Sequence, residues 1–289
     1  MTTPPQLASA LTAIVIVIVF GLMSLLERFR PLRRTVENKM RRVARNITLG
    51  GIAFAVATLL QIPLLVPLSR WMLAHHIGLL NIIALPVAVN VIAAVVLLDY
   101  TLWIWHWANH RVAFLWRFHL VHHVDLDLDS STALRFHFGE HALSVAYRAA
   151  QIVLIGASPL AVWVWQMILF ASILFHHANI ELPLTWERRL VRFIVTPRMH
   201  GIHHSDLERE TNSNWSSLLS WWDYLHRTIL LAVPQREIVI GVPAYHEPRD
   251  ITVGRILKLP FVRQRADWQR DDRTSPPRIH PEPSTSLLA

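Results

Sequence analysis

Four stretches of the chain are apolar for long enough to cross a lipid bilayer, and polar segments separate them. A membrane helix needs about 20 mainly apolar residues. Three runs meet this length: Leu7–Leu26, Ile47–Ser69 and Ile82–Trp105. The fourth, Leu143–Phe175, is too long for one span and carries Gly156 and Pro159 midway, so we expect a hairpin of two shorter helices. The pattern predicts an all-α, polytopic bundle of about four to five membrane helices.

The composition supports this prediction. Hydrophobic residues make up 53% of the chain and charged residues only 17%, with a mean hydropathy of +0.33. An ordinary soluble domain carries more charge. The twelve Trp residues suit the interfaces of a membrane. The chain has no Cys, which excludes disulfides and thiolate chemistry.

The charge distribution predicts the orientation. The formal net charge is +8, and a dense basic loop at 28–45 separates the first two apolar runs. Basic loops stay in the cytoplasm, so this loop orients the spans and explains the basic excess without a nucleic acid partner. The first run has no basic segment before it and no evident cleavage site, so we expect an anchor and not a signal peptide. Successive crossings then return His106, His176 and everything after Ile180 to the cytoplasmic side.

Three histidine motifs follow the apolar runs. His106 and His110 form HxxxH, and two HxxHH motifs follow it: His119, His122 and His123, then His200, His203 and His204. On a helix, positions i, i+3 and i+4 share one face, so we expect each motif to direct its imidazoles at one point. Thr196 and Pro197 suit the cap and first turn of a helix that carries the last motif.

The first two motifs can meet only if the chain bends between them. Nine residues separate His110 from His119, which is about 900° of rotation on a continuous helix and places the two rings on opposite sides. We therefore predict a break between Asn109 and Trp116, where the third span leaves the membrane.

The number of imidazoles indicates two metal ions. One ion takes about four to six ligands, and imidazole favours iron, zinc or copper over calcium and magnesium. Carboxylates would balance the charge and orient the imidazole N–H groups. Asp99 and Glu140 are candidates for this, with Asp125, Asp206 and Asp223. Isolated histidines are expected to be surface, hydrogen-bonded or structural residues: His75, His76, His226, His246 and His280.

The order of these motifs resembles the fatty acid hydroxylase/sterol desaturase superfamily of integral membrane, histidine-box diiron oxygenases. Further matches are "DYTLWIWHWANH", "FLWRFHLVHH", "TALRFHFGEH", "FHHANIELP", "TPRMHGIHHS" and "NSNWSSLLSWWDYL". The resemblance implies a helical membrane domain with a cytoplasmic cap that holds two iron ions. It also implies a lipid substrate, O2 and a separate electron-transfer protein as donor.

Carried over position by position, the resemblance gives a set of metal ligands: His106, His110, His119, His122, His123, His177, His200, His203 and His204. His137 is a tenth candidate, as a ligand or beside one. Further residues are candidates to contact the metal or a ligand: Asp99, Glu140, His141, His176 and Asn179. The chain departs from the family pattern at Trp107, at Arg227, where Gly is usual, and at "NWS", where Asn-Tyr-Gly is common.

These observations favour an O2-dependent diiron lipid hydroxylase or desaturase, with zinc able to replace iron in the isolated protein. The alternative is a membrane metal transporter or sensor, which would place its ligands inside the spans. A hydrolytic zinc enzyme would need fewer ligands. We expect one catalytic membrane domain at 1–262, with its histidine-box core at 99–228, and a disordered tail at 263–289. The sequence leaves open the lipid, the oxidative outcome, the electron donor and the oligomeric state.

Overall fold

A computed structural model describes residues 5–270, with side chains from residue 11 onward. This part of the chain is helical and contains no β-strand, as the sequence predicted. Its α-helices are α1 (Pro5–Phe29), α2 (Lys39–Ala74), α3 (Val87–Arg111), α4 (Ala113–His123), α5 (Phe138–Ile155), α6 (Pro159–His177), α7 (Leu184–Leu190), α8 (Pro197–His203), α9 (Glu208–Thr211), α10 (Trp221–His226) and α11 (Val253–Lys258).

Four of these helices are long and apolar enough to cross a membrane: α1, α2, α3 and α6. Their outward faces carry large apolar side chains, and Val17, Phe54 and Ile92 each keep more than 60% of their surface exposed. A soluble protein rarely exposes a continuous apolar surface of this size. The chain is therefore an integral membrane protein whose spans are covered by lipid.

The fourth apolar run folds as the predicted hairpin. Gly156 ends α5 in the left-handed region, with φ of +74°. Ser158 caps α6 by accepting a hydrogen bond from the backbone N–H of Ala161, and Pro159 is the first helical residue. Glycine tolerates the positive φ and proline fits the first turn, so the sequence directs this reversal locally.

The predicted break between the first two histidine motifs lies at Val112. This residue is extended, with φ of −98° and ψ of 109°, between the end of α3 and the start of α4. One extended residue changes the helix direction and brings the imidazoles of α3 and α4 together.

The basic loop after α1 folds against the same end of the bundle as the histidines. The backbone N–H of Leu32 donates to the carbonyl of Asn179. The Asn179 side chain accepts from the N–H of Arg33 and donates to its carbonyl, at 2.8 and 2.9 Å. The positive loop and the histidines therefore share one end, as the charge pattern predicted. That this end faces the cytoplasm remains a prediction.

The segment after α10 is largely irregular apart from α11 and packs on the histidine end, where Ser205 and Ile240 form a single bridge. Trp116 on α4 donates its indole N–H to Asp267, and Arg265 pairs with Asp250. Residues 263–270 of the predicted tail thus contact the folded body. The rest of that tail, 271–289 with His280, lies outside the described residues, and the domain division remains a prediction.

Candidate metal centre

The nine histidines that the resemblance implied as ligands lie together in two groups. In each group, one potential ligand atom of every ring lies within 4.8 Å of those of the others. The five-histidine group contains His106, His110, His119, His123 and His203. The four-histidine group contains His122, His177, His200 and His204. His110 is half-buried and the other eight are buried.

The prediction that each motif points at one place is wrong for the two HxxHH motifs, because each contributes histidines to both groups. On α4, the outer pair His119 and His123 joins the five-histidine group, and His122 joins the other. On α8, His203 joins the five-histidine group, while the outer pair joins the other. The second and third histidines of each motif are adjacent in the chain, so their side-chain directions differ by about 100°. Each short helix therefore directs its imidazoles to two places. The groups are therefore adjacent, and the rings of His123 and His204 stack with centroids 4.5 Å apart.

The helix α8 is short, and contacts from distant segments hold it. Thr196 caps it by accepting from the N–H of Met199, and Pro197 begins it, as predicted. The guanidinium of Arg33 lies directly over Gly201, where a Cβ atom would collide with it. That guanidinium donates to the carbonyl of Pro197 and to Gln235, both at 2.8 Å. Burial, and then the neighbouring Arg198, lower the pKa of Arg33 to about 9.

Hydrogen bonds orient three rings of the five-histidine group. The Nδ1 atoms of His106 and His203 face the carbonyl oxygens of Trp215 and Ser213, at 2.7 and 2.8 Å. The Nδ1 of His119 lies 3.1 Å from the Glu140 carboxylate. These acceptors place the proton on Nδ1, so Nε2 carries a lone pair. In all five rings Nε2 is buried and has no hydrogen-bond partner. This is the environment expected of an atom that binds a metal ion.

The four-histidine group gives a sharper test of metal binding. The Nδ1 atoms of His122 and His177 face the carbonyls of Arg135 and Ile173, at 3.0 and 2.8 Å. Both Nε2 atoms therefore carry lone pairs, yet they lie 3.1 Å apart. Two lone pairs repel at this distance unless a cation lies between them. Adjacent ligands of an octahedral ion with bonds of about 2.1 Å would be about 3 Å apart, so these residues fit a bound metal.

Electrostatics keep the rings outside the spans neutral. Burial, reinforced by neighbouring imidazoles, holds the pKa of His122, His123, His200, His203 and His204 well below the ordinary value. A neutral imidazole offers the lone pair that a metal requires.

A buried charge cluster supports the carbonyl that orients His122. Arg135 donates from Nε to the carbonyl of Val121 and from Nη1 to Asn46. Asp125 lies against Arg42, Arg45 and Arg135. Burial alone would raise the pKa of Asp125, but Arg135 and Arg42 outweigh it and hold that pKa below its usual value. Asp125 thus acts on the site through Arg135 and does not contact an imidazole there.

Of the other carboxylates, Glu140 contacts an imidazole, while Asp223 and Asp99 support the chain around the site. Asp223 accepts from the N–H groups of Trp215 and Ser216 and so fixes the carbonyl that orients His106. Asp99 shares a helix with His106, but its carboxylate accepts from the N–H of Leu219 and the indole of Trp222. Asp99 therefore anchors the 214–222 segment and does not orient a ring.

The remaining candidates lie outside both groups. The Nδ1 of His137 accepts from the N–H of Gly139 and caps α5, while its Nε2 lies 3.2 Å from the carbonyl of Leu257. His141 contacts Phe136, and His176 lies next to the ring of His200, with centroids 4.1 Å apart. Asn179 holds Arg33, as described above. These four side chains support the site.

Among residues 11–270, the histidines expected to have other roles also lie outside both groups. His75 and His76 are exposed, and His246 is half-buried. His226 stacks on Trp103 with ring centroids 4.1 Å apart, which agrees with the structural role predicted for it.

Sequence reasoning missed Arg33 and Gly201. The one available signal was the glycine within "HGIHH", because glycine inside a short helix often marks a close approach of another group. Nothing in the sequence connects that position with an arginine in the basic loop.

The comparisons with known proteins agree with this geometry. Residues 91–228 match the sequence profile of the fatty acid hydroxylase family. That range includes all nine grouped histidines. The chain is 30% identical over 212 residues to ornithine lipid hydroxylase OlsE of Rhizobium tropici, covering 71% of this chain and 62% of the relative. The chain belongs to the fatty acid hydroxylase superfamily.

A second relative in this superfamily is a cholesterol 25-hydroxylase-like protein of Danio rerio. It is 29% identical over 145 residues, which cover 47% of this chain and 54% of that protein. The chain thus spans less than two thirds of the length of either relative. No solved structure matches it.

The chain departs from the superfamily pattern at Trp215 and Ser216, where Tyr-Gly is common. The contacts by which these two residues support the site come from their backbone atoms, so the change of side chains keeps those contacts.

Proposed function

We propose that the protein is a membrane-bound diiron oxygenase that hydroxylates an unactivated C–H bond of a lipid. The observation that carries the proposal is the 3.1 Å approach of lone pairs on His122 and His177, beside a second group of five partnerless Nε2 atoms. The names of the two relatives, an ornithine lipid hydroxylase and a cholesterol 25-hydroxylase-like protein, support the reaction class. Desaturation of the same substrate would use the same ligands.

Two iron ions held by these groups would supply the reductive activation of O2 that no side chain of this protein can supply. The reaction balances as one C–H bond, O2, two electrons and two protons, giving the alcohol and one water. The sequence carries no haem-binding module or flavin fingerprint, so the electrons are expected from a separate electron-transfer protein.

The protein's own residues hold and orient this centre. Backbone carbonyls of residues 135, 173, 213 and 215 fix ring orientations in both groups. Burial of the rings excludes bulk water, which protects an oxidising centre from side reactions. The groups lie where α3 and α6 end, so a lipid can reach them from the bilayer with its tail among the spans. The positive loop beside the site supports an orientation toward the cytoplasm.

The position of the ligands disfavours a metal transporter or sensor. His106 and His110 lie in the last turns of α3, and His177 is the last residue of α6. The other six are outside the candidate spans. A transporter places its ion sites near the middle of the membrane.

The test combines metal analysis with lipid profiling. Protein prepared without oxygen should contain about two iron ions per chain, and a strain that lacks the gene should lose one hydroxylated lipid. Wild type should restore that lipid, whereas His122→Ala should reduce it by more than 100-fold because it opens the four-histidine group. The exposed His75→Ala is the matched control. An unchanged profile of oxygenated lipids in the deletion strain would refute the proposal. Zinc in protein prepared in air would leave it standing, since imidazole sites bind zinc more tightly than iron.

A further inference from the structure

One arginine of the helical bundle, Arg148, is half-buried and has no anionic partner. The guanidinium of Arg148 on α5 lies over the ring of Trp165 on α6, 4.3 Å from its centroid. Its Nε and Nη1 atoms are buried and have no hydrogen-bond partner, and no carboxylate of residues 11–270 forms a salt bridge with it. Trp165 is 0% exposed, and its indole N–H also has no partner. Three unused donors therefore meet between these two helices.

The faces of α5 show that this guanidinium points into the bundle. Val145 and Ile152 pack with Leu65 and Met72 of α2. On another face, Tyr147 donates its hydroxyl to the carbonyl of Thr101 on α3. Position 148 lies between these two faces on a helix, because each residue advances the side-chain direction by about 100°.

The same inner face leads to the metal centre. His141 and Ser144 precede Arg148 by seven and four residues, so all three share one face of α5. Glu140, which contacts His119, lies eight residues before Arg148, or about 12 Å along the helix axis. Trp165 lies twelve residues before His177 on α6, or about 18 Å. The donors are thus located about 12–18 Å from the histidine groups, inside the bundle.

An unpaired cation at this depth is costly, since the hydrocarbon region offers it no water. Stacking on an indole compensates only in part, because such a contact is worth about 1–2 kcal/mol. Guanidinium N–H groups match the oxygen atoms of carboxylates and phosphates. Intramembrane ionisable residues in a bundle interior usually mark the binding site of a substrate or ion.

We propose that Arg148 and Trp165 bind the carboxylate or phosphate group of the lipid substrate, about 12–18 Å from the carbon that is oxidised. This inference rests on the proposed function and narrows its substrate class to lipids that carry an anionic group at that separation. A neutral sterol or wax would leave all three donors unpaired and is excluded as the preferred substrate.

The test measures lipid binding by the full-length, metal-loaded protein in detergent, without turnover. Tritiated oleate is displaced by unlabelled oleate, by oleoyl lysophosphatidate or by uncharged oleyl alcohol. In wild type, an anion should compete at least tenfold better than the alcohol, and the stronger of the two anions identifies the bound group. Arg148→Met should bring this ratio to about one, with the affinity for the alcohol unchanged. The matched control is Arg70→Met, which removes an exposed arginine of α2 and should keep the wild-type ratio.

Two outcomes would overturn the inference. One is equal competition by anions and alcohol in wild type. The other is an Arg148→Met protein that unfolds at a lower temperature but keeps the wild-type ratio, which would make the contact with Trp165 purely structural. If Arg148→Met does not fold, Trp165→Phe keeps an aromatic face under the guanidinium and removes one donor, and it should lower the ratio two- to fivefold. An unchanged ratio there would contradict the proposal.

The same measurements separate this inference from the proposed function. A protein that prefers anions but leaves the lipid profile of the deletion strain unchanged would retain the anion site and refute the hydroxylase. A protein that hydroxylates a lipid but binds oleyl alcohol as tightly as oleate would support the hydroxylase and refute the anion site.

Discussion

The two histidine groups use the same side chain but differ in how the protein supports it. In the five-histidine group, two backbone carbonyls and the carboxylate of Glu140 receive ring N–H groups. In the four-histidine group, the acceptors are backbone carbonyls alone. Its Nε2 atoms form a row in which neighbours are 3.1 Å apart, in the order His122, His177, His200 and His204. One group therefore contains an anion, and the other is built entirely of neutral donors.

This difference implies that two ions bound by these groups would experience different environments. A carboxylate on a ligating imidazole increases its basicity and donates charge to the metal. The ion in the five-histidine group should therefore bind more tightly for each ligand present. The four-histidine group depends on the charge cluster of Asp125 and three arginines only indirectly, through the carbonyl of Arg135.

The most direct test of this difference removes the one charge that distinguishes the groups. Glu140→Gln keeps an oxygen that can accept from His119, but it removes the negative charge. We expect about a tenfold loss of metal affinity in the five-histidine group and no change in the other. A stepwise metal titration measures both affinities. Glu237→Gln, at an exposed position, is the control, and an equal loss in both groups would show that the asymmetry has no energetic meaning.

A second variant should affect both groups together. Gly201→Ala introduces a Cβ into the guanidinium of Arg33, which is buried and held by two hydrogen bonds and so cannot move freely. Overpacking of this kind typically costs about 1–3 kcal/mol, and α8 contributes ligands to both groups. Thermal unfolding of the metal-free protein should show the loss.

The control for that variant is Gly51→Ala on α2. No other atom lies within 4 Å of the Cβ that this substitution adds, so no loss of stability is expected. If Gly201→Ala is as stable as wild type, the close approach of Arg33 does not constrain α8.

The smallest effect should leave both groups untouched and increase stability. Arg227 ends α10 with φ of +57°, at the position where the superfamily commonly has glycine. A side chain in this region costs about 1 kcal/mol, and glycine avoids this cost. Glycine also makes the unfolded chain more flexible, which offsets part of the gain. Arg227→Gly should therefore stabilise the protein by about 0.5 kcal/mol without changing metal affinity. A fall in the unfolding temperature would show that the arginine side chain makes a compensating contact.

Local chemistry made much of the fold predictable. The length of the apolar runs predicted the spans, and Gly156 and Pro159 predicted the hairpin. Thr196 and Pro197 predicted the start of α8. The break near Val112 followed from a requirement that two motifs converge. Each of these features depends on a few neighbouring residues and one known geometry.

The support of the site was much less predictable, because it joins residues far apart in the chain. Helical periodicity correctly placed Asp99 on the face of His106, but the partners of Asp99 are Leu219 and Trp222, about 120 residues later. Asn179 lies two residues after His177 of the four-histidine group, yet it holds the loop after α1. Neither pairing leaves a periodic or compositional trace in the sequence.

Val112 is the single extended residue between α3 and α4. The number of residues at this junction, more than the side chain present there, therefore determines where the imidazoles of α4 point. Substitutions there keep the number of bonds between His110 and His119, whereas a single inserted residue would turn every imidazole of α4 by about 100°, away from the histidine group to which it belongs. Insertions and deletions should therefore not be tolerated at this joint.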